Sequence, residues 1–311
     1  MHPFAYTRPA TLSDVLALLD KHGGEACLLA GGTDLVVELR NRSRRPSIVI
    51  DIKQVKELAP TIGETERGLR IGATVVMADI EKDSRIRRHF PALVEAAATV
   101  GSIQIRNRAT LTGNICHASP AADTAPALLV YGAEVNVASV RGTRRVTLDQ
   151  FFVGPGKTVL KRGELVTSID LPLADNRRAA TFTRLTRRRG VDLATINLCC
   201  KVEAGGRTTF AYGAVGPRPF LATDDSGMLA DPRASDAAKD EILRRLLTKA
   251  TPISDVRGSR EYRRAMLLVM SRRALRTAID RLQDDRFPSP STGGQDDRFP
   301  SPSGGGKGGG A

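Results

Sequence analysis

Two glycine-bearing segments, about eighty residues apart, constrain this chain more than anything else in it. The first runs Leu28-Leu29-Ala30-Gly31-Gly32-Thr33-Asp34-Leu35. The second runs Asn107-Arg108-Ala109-Thr110-Leu111-Thr112-Gly113-Asn114-Ile115 and continues into Ser119-Pro120-Ala121-Ala122-Asp123. Each sets small residues at the end of an apolar run, where backbone N–H groups are bared to meet a phosphate. Two such loops converging from distant sequence point to a long cofactor with a pyrophosphate in its middle. The surrounding pattern supplies strand–turn–helix geometry. Thr11-Leu12-Ser13-Asp14 reads as a capping box opening a helix that ends at Gly23-Gly24. A short buried strand then covers 26–30, a helix 34–40 and a second strand 48–52, closing a small α/β unit over residues 1–54.

Beyond it, 69–74 reads as a strand entering a small-residue turn, with helices over 77–84, 92–101 and 125–131. Residues 134–140 and 144–147 have hairpin character around Gly142, and 165–171 alternates as a half-buried strand before Pro172. After Pro172 the pattern changes to three antiparallel strands (180–185, 195–203, 207–215) and two helices (235–250, 259–282). The expected domains are thus 1–175, divided near residue 54, and 176–282. The end is low in complexity. Gln283-Asp284-Asp285-Arg286-Phe287-Pro288-Ser289-Pro290-Ser291 recurs at 295–303, and 283–311 reads as a disordered tail.

Composition narrows the class. With 311 residues, 41% apolar and 26% charged, the chain suits a globular protein of two or three domains. No apolar run reaches the length of a membrane span and no leader pattern opens the chain, so the cytoplasm is the expected compartment and no membrane is expected as partner. Cys27, Cys116, Cys199 and Cys200 lack metal-ligand spacing, and the adjacent Cys199 and Cys200 point to opposite faces of a strand. They read as reduced core thiols, with no metal held by this chain. A net charge of +13 raises nucleic-acid binding, but 4% aromatics and no Trp leave few stacking platforms, so no nucleic-acid partner is expected. Gly-x-Gly-x-x-Gly after a strand is missing, which disfavours a nicotinamide-binding Rossmann domain.

The run from Ile105 to Ile115, with Ser119 to Leu129 and Ala30 to Leu35, closely resembles the FAD-binding medium subunit of the xanthine dehydrogenase and carbon monoxide dehydrogenase family of molybdenum hydroxylases. The resemblance extends from Phe4-Ala5-Tyr6 to the last helix, through Ile71-Gly72-Ala73, Arg188-Arg189, Asp192-Leu193-Ala194, Ala214 to Pro219 and Glu261-Tyr262-Arg263. It implies an α+β fold. A two-subdomain FAD-binding domain of the vanillyl-alcohol-oxidase (PCMH) type would precede a smaller α+β C-terminal flavoprotein domain. It implies non-covalent FAD wrapped by Leu29, Ala30, Gly31, Gly32, Thr33, Asp34 and Leu35 and by Thr110, Leu111, Thr112, Gly113 and Asn114. Ala73, Thr74, Asp123, Val166 and Arg184 complete the implied cofactor set, and no catalytic residue is implied. For Asp34 and Asp123 the reading of the residues alone leaves a helix-start carboxylate open, and for Ala73 and Thr74 a strand-end turn.

By the same resemblance, a large molybdopterin subunit oxidises substrate and a small [2Fe–2S] subunit relays electrons. FAD on this chain passes them to NAD, oxygen, a quinone or another carrier, in a dimer of heterotrimers. A stand-alone FAD-dependent oxidase of the same domain type and a basic non-enzymatic binding protein are the alternatives. Two departures from the family pattern stand out: Thr112 where a glycine is usual, and Arg184 where a lysine is common.

Overall fold

The computed structural model describes residues 1–284. The tail reading over 283–311 lies outside them, apart from Gln283, which closes the last helix, and Asp284. At the N-terminus, Thr11 Oγ1 accepts from the Asp14 amide (3.2 Å) and donates to the Asp14 carboxylate (2.6 Å). This starts the helix Leu12–His22, which stops where Gly23 takes φ 53°. Strands β1 (Ala5–Thr7) and β2 (Ala26–Leu29) flank β3 (Ile48–Asp51), both parallel to it. Every residue of β3 is buried, as a central strand covered on both faces requires.

The second unit is an antiparallel sheet. Its strands are β4 (Ile62–Thr65), β5 (Gly68–Gly72), β6 (Glu134–Ser139), β7 (Gly142–Thr147) and, after the small hairpin β8 (Phe152–Gly154) and β9 (Lys157–Thr158), β10 (Leu165–Pro172). The spatial order β4-β5-β10-β6-β7 makes β10 the centre, and a register shift between Val166 and Ser168 breaks the alternation expected of it. Helices Met77–Lys82, Ser84–His89, Pro91–Ala98 and Thr124–Val130 share a core with this sheet. The expected single helix over 77–84 is broken because Asp83 caps a new one, accepting from the amides of Arg85 and Ile86.

The C-terminal unit is an antiparallel meander of β11 (Arg178–Leu185), β12 (Ile196–Glu203), β13 (Thr208–Gly213) and β14 (Phe220–Asp224). The helix Arg260–Gln283 packs on β11 and β12. Strand β14 went unforeseen because Pro217 and Pro219 make its approach read as loop. The sheet is covered on both faces. Ile196, Leu198, Cys200 and Val202 belong to the core under the last helix, while Cys199, Ala180, Phe182 and Ala211 join the core of the preceding unit. The period-2 alternation therefore sends Cys199 and Cys200 into different cores, all four cysteines being free.

Polar bonds cross the same seam. Ala214 N donates to Pro120 O (2.7 Å), Phe182 N to Glu95 Oε2 (2.8 Å) and Arg218 to Phe152 O (3.0 Å). No helix among the described residues is long and apolar enough to cross a membrane.

Candidate functional site

Strand β2 delivers the first glycine segment. Ile52 N bonds Leu29 O (3.1 Å), and Lys53 Nζ reaches both Ala30 O (3.4 Å) and the buried Asp51 carboxylate (2.7 Å). The turn that follows is pressed onto the second segment. A Cβ on Gly31 would stand 2.1 Å from Arg108 O, so no side chain fits there. Gly32 has φ 77°, in the left-handed region that favours glycine. Among the described residues no acceptor meets the amides of Gly31, Gly32 and Thr33. Val36 N returns to Gly32 O (3.0 Å) and starts the helix Leu35–Arg40, while the Asp34 side chain makes no capping bond.

The second segment is not the open loop its glycine suggests. Residues Leu111–His117 form a helix, with Thr110 as N-cap accepting from Gly113 N (3.0 Å). A Cβ on Gly113 would sit 2.7 Å from Thr110 Oγ1, so here glycine makes room for the cap. Leu111 N to Val75 O (3.1 Å) and Met77 N to Ala109 O (2.9 Å) tie the segment to the strand-end turn. Thr112 is buried, and among the described residues its hydroxyl has no partner and its amide meets no acceptor. Asn114 Oδ1 accepts from Thr124 (2.7 Å), which leaves its NH₂ as a donor. The helix ends at Ala118, with φ 51°, and the chain turns through Ser119 to Asp123.

Asp123 makes no capping bond either. Its carboxylate takes Asn197 Nδ2 on one oxygen (2.8 Å) and Arg184 on the other (2.7 Å). Burial pushes the Asp123 carboxyl above its ordinary range, against the opposing pull of Asn197 and Arg184. Arg184 also donates to the carbonyls of Asp192 (3.4 Å) and Gly190 (3.5 Å), which holds the connection between β11 and β12 over the same place.

These segments surround one cavity of about 900 Å³ where the three units meet. Ala30, Gly31, Gly32, Thr33, Asp34, Leu35, Ala73, Thr110, Thr112, Gly113, Asn114, Asp123, Val166 and Arg184 all line it. Leu29, Thr74 and Leu111 do not. Leu29 packs beside the Cys27, Leu39 and Val49 cluster, Leu111 is wholly buried in core, and the Thr74 hydroxyl is spent on Leu58 O. Sequence reasoning overlooked Cys27, Arg44 and the turn Lys161-Arg162-Gly163-Glu164, all on the wall. The only local signal for that turn is a glycine after two basic residues. Asn197 carries no motif at all: it is found only through its bond to Asp123.

The wall holds little that could attack a substrate. Burial pushes the Cys116 thiol up to about 12, so it is no thiolate near neutrality. His117 Nδ1 lies 3.8 Å from Glu38 Oε1. Among the described residues, no group of three or more His, Cys, Asp or Glu is placed to hold a metal.

A large cavity at a domain seam, gripped by two touching glycine segments with unmet amides, defines a protein that binds a long phosphate-bearing cofactor. Comparison with known proteins specifies it. Residues 2–174 match the family described as FAD binding domain in molybdopterin dehydrogenase, and residues 180–278 match the CO dehydrogenase flavoprotein C-terminal domain. The chain belongs to this family of FAD-binding medium subunits of molybdenum-hydroxylase-type dehydrogenases. It is 30% identical over 285 residues to the xanthine dehydrogenase FAD-binding subunit of Escherichia coli O157:H7, covering 90% of this chain and 97% of that one. It is 36% identical over 229 residues to the nicotinate dehydrogenase FAD-subunit of Eubacterium barkeri, covering 71% and 77%. Among solved structures, a chain of the reconstituted CO dehydrogenase from Oligotropha carboxidovorans superposes with a TM-score of 0.83 at 28% identity, covering 89% of this chain and 98% of that one.

The residues present fit FAD. The unmet amides of Gly31, Gly32, Thr33 and Thr112 form a donor set for a diphosphate, and the cavity is large enough for a dinucleotide.

Proposed function

We propose that this chain is the FAD-carrying electron-transfer subunit of a molybdenum hydroxylase complex. In this reading the amides of Gly31 to Thr33 and of Thr112 hold the diphosphate. The Asn114 NH₂ and the Asp123–Arg184 pair meet polar groups along the cofactor, and Ala73 and Val166 give it apolar surface. Leu29, Thr74 and Leu111 support the wall from behind. The binding is non-covalent. The cofactor, when bound, exchanges electrons singly or in pairs. The chain's own work is to orient it and to keep its surroundings dry.

Electrons enter from the [2Fe–2S] clusters of a small partner subunit and originate at a large molybdopterin subunit where substrate is oxidised. They leave to NAD, oxygen, a quinone or another carrier. The assembly is a dimer of heterotrimers in the cytoplasm, a reducing compartment that suits four free thiols. The boundaries 1–175 and 176–282 separate the FAD-binding domain from the C-terminal one.

The observation that carries this reading is the convergence of two glycine segments with unmet amides on one large cavity at the domain seam. Purification from the source cells with associated proteins, followed by metal and flavin analysis, tests it. Iron, molybdenum and FAD in fixed proportion are expected. A chain that purifies alone and turns over a small substrate unaided contradicts it.

A further inference from the structure

A second, smaller cavity of about 120 Å³ lies where the start of β11 meets the helices Ser84–His89 and Pro91–Ala98, and it shares no lining residue with the large one. Its walls include Arg88, His89, Tyr131 and Arg178. Arg178 is held rigidly. Its guanidinium carbon lies 5.6 Å from the Phe90 ring centre and 5.2 Å from that of Tyr131, two rings set edge to face. One terminal nitrogen donates to Pro172 O (3.1 Å). Its other N–H groups make no hydrogen bond among the described residues and are not sealed from solvent.

No carboxylate pairs with this guanidinium among the described residues. Glu203, directly across the strand pair from it, is bound to Lys201 at 2.8 Å, and Glu64, which faces His89, is exposed. Burial weighs against the Arg178 charge, with Tyr131 and Glu203 pulling the other way from beyond ion-pair distance. His89 is held neutral-leaning by burial and by its neighbours Arg88 and Arg178. A charge taken from water without a partner is costly, and a planar fork with free N–H groups matches an oxyanion two-point contact.

We propose that this cavity is a binding site for a small oxyanion, inorganic phosphate or a carboxylate of acetate size. Arg178 is its fixed fork, and Arg88 and His89, which line the same cavity, supply further donors. The inference stands apart from the FAD reading, since the two cavities share no wall.

The test titrates the full chain, saturated with FAD, with phosphate and separately with acetate, against chloride at matched ionic strength, by calorimetry. Saturable binding of at least one oxyanion is expected. It should weaken about tenfold or more in Arg178→Gln and about threefold in Arg88→Gln, whose exposed side chain can change without disturbing the core. No binding beyond chloride, or equal binding by the wild type and both variants, overturns the proposal. If Arg178→Gln does not fold, Arg88→Gln with His89→Gln carries the test. Unchanged affinity in that pair of variants is likewise contradictory.

Discussion

Gly31 and the Asp123–Arg184–Asn197 group show how little separates a grip from a clash. A methyl on Gly31 would meet the Arg108 carbonyl at 2.1 Å, so Gly31→Ala must push the two glycine segments apart. Overpacking of this kind costs about 1–3 kcal/mol, and the shift falls on the amides assigned to the diphosphate. FAD affinity of Gly31→Ala, read by flavin fluorescence, should fall at least about tenfold, with the circular dichroism spectrum retained.

Arg184→Met leaves the Asp123 carboxylate buried without its counter-charge. Breaking a buried pair from one side costs about 3–5 kcal/mol, so urea unfolding should shift by about that amount, while Arg184→Lys should recover part of it. His117 lines the cavity, yet the non-covalent reading predicts that acid precipitation sends all flavin into the supernatant. Flavin retained on the pelleted chain would contradict it. At this scale Gly31 was legible, because strand, double glycine and helix are adjacent in sequence. Asn197 was not, because an asparagine inside an apolar strand has no local signature until the fold brings Asp123 to it.

At the scale of elements, the final helix is fastened by an ion network built on one buried arginine. Arg263, 1% exposed, donates to the carbonyls of Thr195 (2.8 Å) and Ala214 (2.8 Å) and to Asp255 (2.7 Å). Arg257 foremost, and then Arg263, hold the Asp255 carboxyl far below the ordinary carboxylate range. Its folded value lies below its unfolded value of about 3.9. The stabilisation is therefore complete above that pH and is lost as pH falls through the folded value. Thermal melts should be insensitive to this group from neutrality down to about pH 4 and then drop. Asp255→Asn should melt lower at neutral pH, because Arg263 loses its counter-charge, and should show a shallower acid limb. An unchanged acid limb would remove Asp255 from the account.

The helix was readable from periodicity and its Glu261-Tyr262-Arg263 start from the family resemblance, whereas the role of Arg263 depends on two carbonyls distant in sequence. The helix Leu111–His117 was missed for the opposite reason. Gly113 reads as a loop residue in sequence, but in space it is the glycine that admits the Thr110 cap.

The whole molecule places its large cavity where three units meet, so the cofactor's environment belongs to none of them alone. The C-terminal sheet is buried on both faces, and Ala214, Asn197 and Arg184 from that sheet or its loops hold the Pro120 to Asp123 turn. The change to an antiparallel meander after Pro172 was legible because the residue pattern changes there. The seam was not, because β12 alternates from Ile196 to Glu203 as a strand with one solvated face would, and nothing local shows that the Cys199 side is covered too. Ligand bound across such a seam stabilises the folded chain as a unit, by about 2.7 kcal/mol at a hundredfold excess over Kd. The most direct test is to strip the full-length protein of flavin and titrate it with FAD, following visible absorbance and the melting temperature together. One FAD per chain, with a flavin band and a single raised transition, is the predicted result. A chain that stays colourless and melts unchanged at saturating FAD would contradict the assignment of this cavity.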